Sequence, residues 1–248
     1  MEQQPEFWYW ATKSVVRPLM STAFRLRFEG SEHIPQTGGL IVACNHISRL
    51  DPLAQGLLVD GAGRKARFLA KAELFHAFGL GRIMRGMRQI PVHRGTAGAP
   101  LALDEAIAAL ERGDAVMIYP EGTITTNADL SVMAGKMGVA RLALATGAPV
   151  IPCAVWGSHV AAPKGHKRSW RPGLEIVVKL GPAVNLSDFE GPEPTHETLR
   201  TATAQIMAEL GELVEEIRQS WRRPAWAPAW PEVDGWRPSS EDKQLSPT

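Results

Sequence analysis

A chain of 248 residues, 44% hydrophobic and 21% charged, has the balance of a globular protein large enough to bury a core. Its formal net charge of +1 gives no global field toward nucleic acid, and two cysteines, Cys44 and Cys153, are too few for a disulfide scaffold or a four-cysteine zinc site. No charge-free apolar run approaches the roughly 20 residues a membrane span needs, and a signal peptide is not expected at this N-terminus, which lacks an apolar core and a cleavage site.

The first 24 residues contain FWYWATKSVVRPLMSTAF, apolar and aromatic residues interrupted by Lys13 and Arg17. The pattern suits an amphipathic segment lying in a membrane interface, or a helix packed on the domain surface. Pro18 is expected to kink or split it. LIVAC (40–44) reads as a buried strand, and Asp51-Pro52 as a helix start with Asp51 at the cap, running to about Asp60. ARFLA (66–70) is a strand, 73–87 a helix weakened by Gly79 and Gly81, and QIPV (89–92) a strand. A helix over 99–112, the strand AVMIY (115–119), a helix over 136–146 and the strands PVIPCAVW (149–156) and LEIVVKL (174–180) follow. Residues 195–220 carry the clearest helical stripe: Leu199, Ala202, Ile206, Leu210, Val214 and Ile217. Strands alternating with helices indicate one α/β domain over 25–221. Beyond Trp221, Pro224, Pro228, Pro231 and Pro238 predict an irregular tail over 222–248.

Charge and tryptophan are both segregated along the chain. Between Arg64 and Arg94 eight bases face one acid, Glu73; between Leu186 and Glu216 eight acids face one base, Arg200. The first block favours an anionic partner, and the second reads as the wet face of the late helix. Six of the eight tryptophans lie near the two ends.

The strand LIVAC runs into Asn45-His46-Ile47-Ser48-Arg49-Leu50-Asp51. On one helix, positions five apart point away from each other. A turn between the strand and the next helix can instead bring Asp51 back onto His46. One carboxylate oxygen then bonds the ring N–H while the other caps the helix, which is a general base with its orienter. The alternative is a loop histidine beside an ordinary helix cap. Sites in open α/β sheets lie beyond the carboxyl ends of strands, where His46 falls. QIPVHR delivers Arg94 from a strand end. YPEGT delivers Glu121, then Gly122, where a ligand can approach the backbone, then Thr123.

NHISRLD (45–51), QIPVHR (89–94), YPEGT (119–123) and GAPVIP (147–152), in this order, resemble the four blocks of the glycerolipid acyltransferases, the PlsC-like or 1-acyl-sn-glycerol-3-phosphate (lysophosphatidic acid) acyltransferase family. AKAEL (70–74) is similar to the family's lysine-containing segment. The resemblance implies a mixed, largely parallel sheet flanked by helices, as in glycerol-3-phosphate acyltransferases. It implies transfer of a fatty acyl group from acyl-CoA, or from acyl carrier protein, to a hydroxyl of lysophosphatidic acid. His46 would be the base on that hydroxyl and Asp51 its orienter, with Lys71 and Arg94 on phosphate and Glu121, Gly122 and Thr123 on the acceptor. A thioester is already activated, so no enzyme nucleophile, metal or other cofactor is required. The expected setting is peripheral, on an anionic membrane surface at the cytoplasmic face, without nucleic acid. The chain departs from the family at Ile124, where the common pattern has arginine; this leaves open another lysophospholipid or glycolipid acceptor, or a non-catalytic anionic-lipid binder on the same scaffold.

Other features carry less. Cys44, two residues before His46, is expected to face the core. The glycines at 61 and 63 follow a helix rather than a strand, against a dinucleotide loop. Lys164, His166, Lys167, Arg168 and Arg171, with Trp170, form a second basic loop suited to phosphates or to solvent.

Overall fold

The computed structural model describes residues 7–93, 99–165, 171–189, 191 and 193–227. Strands β1 (Phe24–Glu29), β2 (Leu40–Cys44), β3 (Ala66–Lys71), β4 (Ile90–Val92), β5 (Ala115–Ile118), β6 (Val150–Trp156) and β7 (Leu174–Leu180) form one sheet in the order β1-β7-β6-β2-β5-β3-β4. β6, β2, β5, β3 and β4 are mutually parallel, so their carboxyl ends share one edge. β7 returns antiparallel to β6, and β1 pairs parallel with β7. The sheet is therefore mixed and largely parallel, as expected.

β2 sits at the centre and is apolar on both faces because both are covered. Leu40, Val42 and Cys44 enter one core with α2 (Asp51–Gly61), while Ile41 and Ala43 enter the other with α4 (Ala99–Glu111) and α5 (Gly138–Thr146). The long α7 (His196–Ser220) serves both: Leu199, Ala202 and Ile206 pack on the second face, and Leu210, Val214 and Ile217 on the first. Thr195 caps α7, its hydroxyl accepting from the Thr198 amide at 3.1 Å. Glu197, Glu212, Glu215 and Glu216 lie on its exposed face, the wet-face reading of the acidic block.

α1 (Phe7–Ala23) is one helix; Pro18 does not split it. Ser14, whose carbonyl the missing proline N–H would have served, is exposed, so water can satisfy it. The helix packs by one side. Tyr9 is buried and donates to Asp60 Oδ1 at 2.9 Å, and Lys13 pairs with Asp60 Oδ2 at 2.8 Å. Phe7, Trp10, Val15 and Leu19 remain exposed on the other side. The predicted helix over 73–87 is instead a 3₁₀ turn at Ala72–Phe75 and a short α3 (Leu80–Gly86), divided by Gly79 at φ 73°. Of the tail, residues 222–227 are irregular yet not loose: Ala227 is buried and Trp226 lies under the Arg171 guanidinium at 5.0 Å. The remainder of the tail lies outside the described residues.

The basic block is less of an anion surface than its sum suggested. Arg64 is buried and donates to the carbonyls of Pro35, Gly38 and Gly113. Arg67 is fully buried, bonding Met87 O at 2.6 Å and Asp114 at 3.3 Å. Both are internal ties, where an unpaired charge would be costly and a paired one is tolerated.

Candidate active site

β2 ends where its chain leaves the ladder, and a side chain takes over the pairing. Asn45 Oδ1 accepts from the Val155 amide at 2.8 Å and its Nδ2 donates to the Val155 carbonyl at 3.2 Å. This frees the backbone to turn at residues 46–50 and places His46 beyond the carboxyl edge of the sheet. The Thr125 amide bonds the His46 carbonyl at 2.7 Å and fixes the turn from the other side.

The turn folds Asp51 back onto His46, with Nδ1 and Oδ2 2.9 Å apart. The same Oδ2 accepts from the amides of Ile47 and Ser48, both at 2.7 Å. Oδ1 accepts from the Ser158 hydroxyl at 2.6 Å. Asp51 is 0% exposed. The Ile47 and Ser48 amides and the Ser158 hydroxyl donate to this carboxylate, and the His46 ring nitrogen is its fourth polar contact. In the tautomer that donates from Nδ1 to Asp51, Nε2 is the basic nitrogen of His46; the imidazole is 16% exposed. The sequence placed Asp51 at the helix cap; that position is Leu50, and Asp51 is the first helical residue. Its oxygens serve the preceding turn and Ser158 rather than the helix's own amides.

A second layer holds the ring. Tyr119, just past β5, stacks on His46 with centroids 4.2 Å apart and planes inclined by 22°. Its hydroxyl donates to Gln55 Oε1 at 2.7 Å, and Gln55 Nε2 donates to the Asn45 carbonyl at 3.2 Å. Burial pushes the Tyr119 hydroxyl pKa well above its ordinary value, so it stays neutral.

Glu121 is 4% exposed and spends both oxygens on backbone: Oε1 accepts from the His46 amide at 3.2 Å and Oε2 from the Met133 amide at 3.0 Å. It joins the His46 turn to the loop that leads into α5. Burial raises its pKa from 4.5 to about 7; the two amide donors and the Asp51 charge modify this with opposite signs. Gly122 follows at φ 76°, and a side chain there would meet the Lys136 ammonium at 3.0 Å. Lys136 is exposed, and its ammonium has no hydrogen bond or ion pair among the described residues. Thr123 is half-buried beside it. Ile124 is half-buried, its carbonyl accepting from Lys164 Nζ at 3.4 Å.

Lys71 ends β3, exposed, on the same edge of the sheet. Arg94 lies outside the described residues; β4 stops two positions earlier, at Val92, paired with Lys71. Of the basic residues on α3, Arg82 lies over the Trp8 ring and Arg85 bonds the Phe75 carbonyl. Cys44 and Cys153 are both buried and face each other across β2 and β6. No cluster of potential metal ligands occurs among the described residues, and no described helix is long and apolar enough to cross a membrane.

A buried carboxylate holds an imidazole at the carboxyl edge of a mixed α/β sheet, an arrangement chemically able to draw a proton from a hydroxyl. The family model described as Acyltransferase matches residues 25–156, and the chain belongs to that family. It is 27% identical over 165 residues to a 1-acyl-sn-glycerol-3-phosphate acyltransferase of Borreliella burgdorferi, covering 65% of this chain and 63% of the relative. It is 29% identical over 168 residues to one of Limnanthes douglasii, covering 66% and 56%. The chain thus spans less than two thirds of these relatives' length. The crystal structure of the 1-acyl-sn-glycerophosphate acyltransferase of Thermotoga maritima superposes with a TM-score of 0.64 at 26% identity, covering 90% of this chain and 86% of that one.

Proposed function

We propose that the protein is a 1-acylglycerol-3-phosphate O-acyltransferase, moving a fatty acyl group from an acyl-CoA or acyl carrier protein thioester to lysophosphatidic acid to make phosphatidic acid. The observation that carries this reading is the His46–Asp51 pair, its carboxylate held also by the Ile47 and Ser48 amides and the Ser158 hydroxyl. His46 Nε2 takes the proton of the acceptor hydroxyl as its oxygen attacks the thioester carbonyl. The C–O bond forms, the C–S bond breaks, and the imidazolium returns the proton to the leaving thiolate. Asp51 stabilises the imidazolium between these steps. A positioned base of this kind supplies about 10²–10⁴-fold in rate.

The acceptor's phosphate meets Lys71, Arg94 and Lys136, the last filling in for the arginine absent at position 124. Glu121 acts on the acceptor through the turn it braces. α1 rests against the cytoplasmic face of an anionic membrane, where its exposed aromatics meet headgroups. The names of the relatives support the substrate class. The test is incubation of the full chain with palmitoyl-CoA and a panel of lysophospholipids, with thiol release and product mass read together. Phosphatidic acid from lysophosphatidic acid is the expected product. Vesicle binding without turnover on any acceptor would leave only the lipid-binding scaffold.

A further inference from the structure

One exposed feature is used neither by the base nor by its supports. Phe78 sits at the tip of the turn between the 3₁₀ segment and α3 and is fully exposed, the most exposed large apolar side chain among the described residues. Leu74 and Leu80 beside it are about two-fifths exposed. The turn is built to hold this position. Gly79 takes φ 73°, the amides of Leu80 and Gly81 bond Phe78 O and Ala77 O, each at 2.8 Å, and Phe75 behind them is buried with its carbonyl bonded by Arg85. A rigid mount that presents phenylalanine to water calls for an apolar partner.

The patch continues onto α1. Trp8 lies against Gly86 and 5.7 Å from the Arg82 guanidinium, and the half-exposed Phe7 ring lies 5.5 Å from Trp8. Around the tip, Lys71, Arg82 and Arg85 are exposed, with His76, against one acid, Glu73. Five acids, Glu197, Glu209, Glu212, Glu215 and Glu216, are instead gathered on α7, which packs on β6, three strands from β3. Apolar tips ringed by cations match an anionic lipid surface, whose headgroups neutralise the bases while acyl chains receive the rings.

We infer that the Phe78 turn inserts into an anionic bilayer surface beside α1, giving the chain a second membrane contact that sets the angle at which its catalytic edge meets the leaflet. The turn leaves β3 directly after Lys71, on the edge of the sheet that carries His46. Docking through it brings that edge down to the lipid, so an acceptor can reach the base without leaving the membrane. One tethered helix alone would leave the domain free to rotate about it. The insertion itself does not depend on the acyltransferase reading; its catalytic consequence does.

The test uses the full chain. Cys44 and Cys153 are buried, so Phe78→Cys offers one accessible thiol among the described residues for an environment-sensitive fluorophore. Phosphatidylglycerol-containing vesicles are expected to shift its emission to the blue, and pure phosphatidylcholine vesicles to do so far less. Phe78→Ser, at a site with no packing to lose, is expected to weaken vesicle association roughly ten-fold, and Phe78→Trp to keep it. Acylation of a vesicle-borne long-chain acceptor should fall with binding, while turnover of a monomeric short-chain acceptor stays at the wild-type rate. Equal vesicle binding by wild type and Phe78→Ser overturns the inference. So does a label that responds to protein concentration without lipid, which would assign the patch to a second copy of the chain. An enzyme inactive on both acceptors would refute the proposed function and leave the vesicle result standing.

Discussion

Replacing Glu121 by glutamine, and following stability against pH, tests how the catalytic turn is held. Burial raises the folded-state pKa of Glu121 from 4.5 to about 7. A carboxyl with a raised folded pKa binds its proton more tightly when native. Its contribution to stability is therefore full below the unfolded value and lost as pH rises through 4.5 to about 7. At about 1.4 kcal/mol for each tenfold change in proton affinity, the loss across that window is about 3 kcal/mol. Glutamine removes the titration. Its NH2 group cannot accept a hydrogen bond, whereas both oxygens of the carboxyl, protonated or not, carry lone pairs, so either the His46 or the Met133 amide loses its partner, at about 1–3 kcal/mol. Urea unfolding at a series of pH values is expected to show wild-type stability falling toward neutrality relative to Glu121→Gln. The variant should be less stable at the acid end, and its acyl transfer rate should drop because His46 is no longer braced. Parallel curves for the two proteins would refute the burial argument.

Three further outcomes follow from the same geometry. Ser158→Ala removes a 2.6 Å bond to a fully buried carboxylate, so it should cost about 1.5–3 kcal/mol, or roughly 3–12 °C in Tm by scanning calorimetry. An unchanged Tm would mean that Asp51 does not depend on this bond. Asp51→Asn keeps an oxygen for the Nδ1 proton but removes the charge that stabilises the imidazolium, so kcat should fall at least ten-fold with KM little altered. Lys136→Ala should lower kcat/KM roughly ten-fold for lysophosphatidic acid and leave a neutral monoacylglycerol acceptor unaffected. Equal losses on both acceptors would remove Lys136 from the phosphate site.

The His46–Asp51 pair was legible because its parts are five residues apart and the strand-to-helix change between them is written in LIVAC and Asp51-Pro52. The central strands were legible for a similar reason: covered on both faces, they are short apolar runs between turn residues. Ser158 was not legible. It reaches Asp51 from 107 positions away, on the four-residue helix α6 (Ser158–Ala161), too short for periodicity to mark. Glu121 was expected on the acceptor, and its two backbone bonds were not legible, because a carboxylate's partners are set by the fold around it. Arg64 and Arg67 show the same limit from the other side. Counting charges along a chain cannot separate a guanidinium on the surface from one tying carbonyls together inside. Pro18 was read too strictly, since an exposed helix face lets water serve the orphaned carbonyl.

The most direct measurement is the rate of thiol release from palmitoyl-CoA with lysophosphatidic acid, for wild type and for His46→Ala purified in the folded state. The account predicts a wild-type reaction that yields phosphatidic acid and a loss of about 10²–10⁴-fold in the variant. A His46→Ala protein that turns over at the wild-type rate would contradict it.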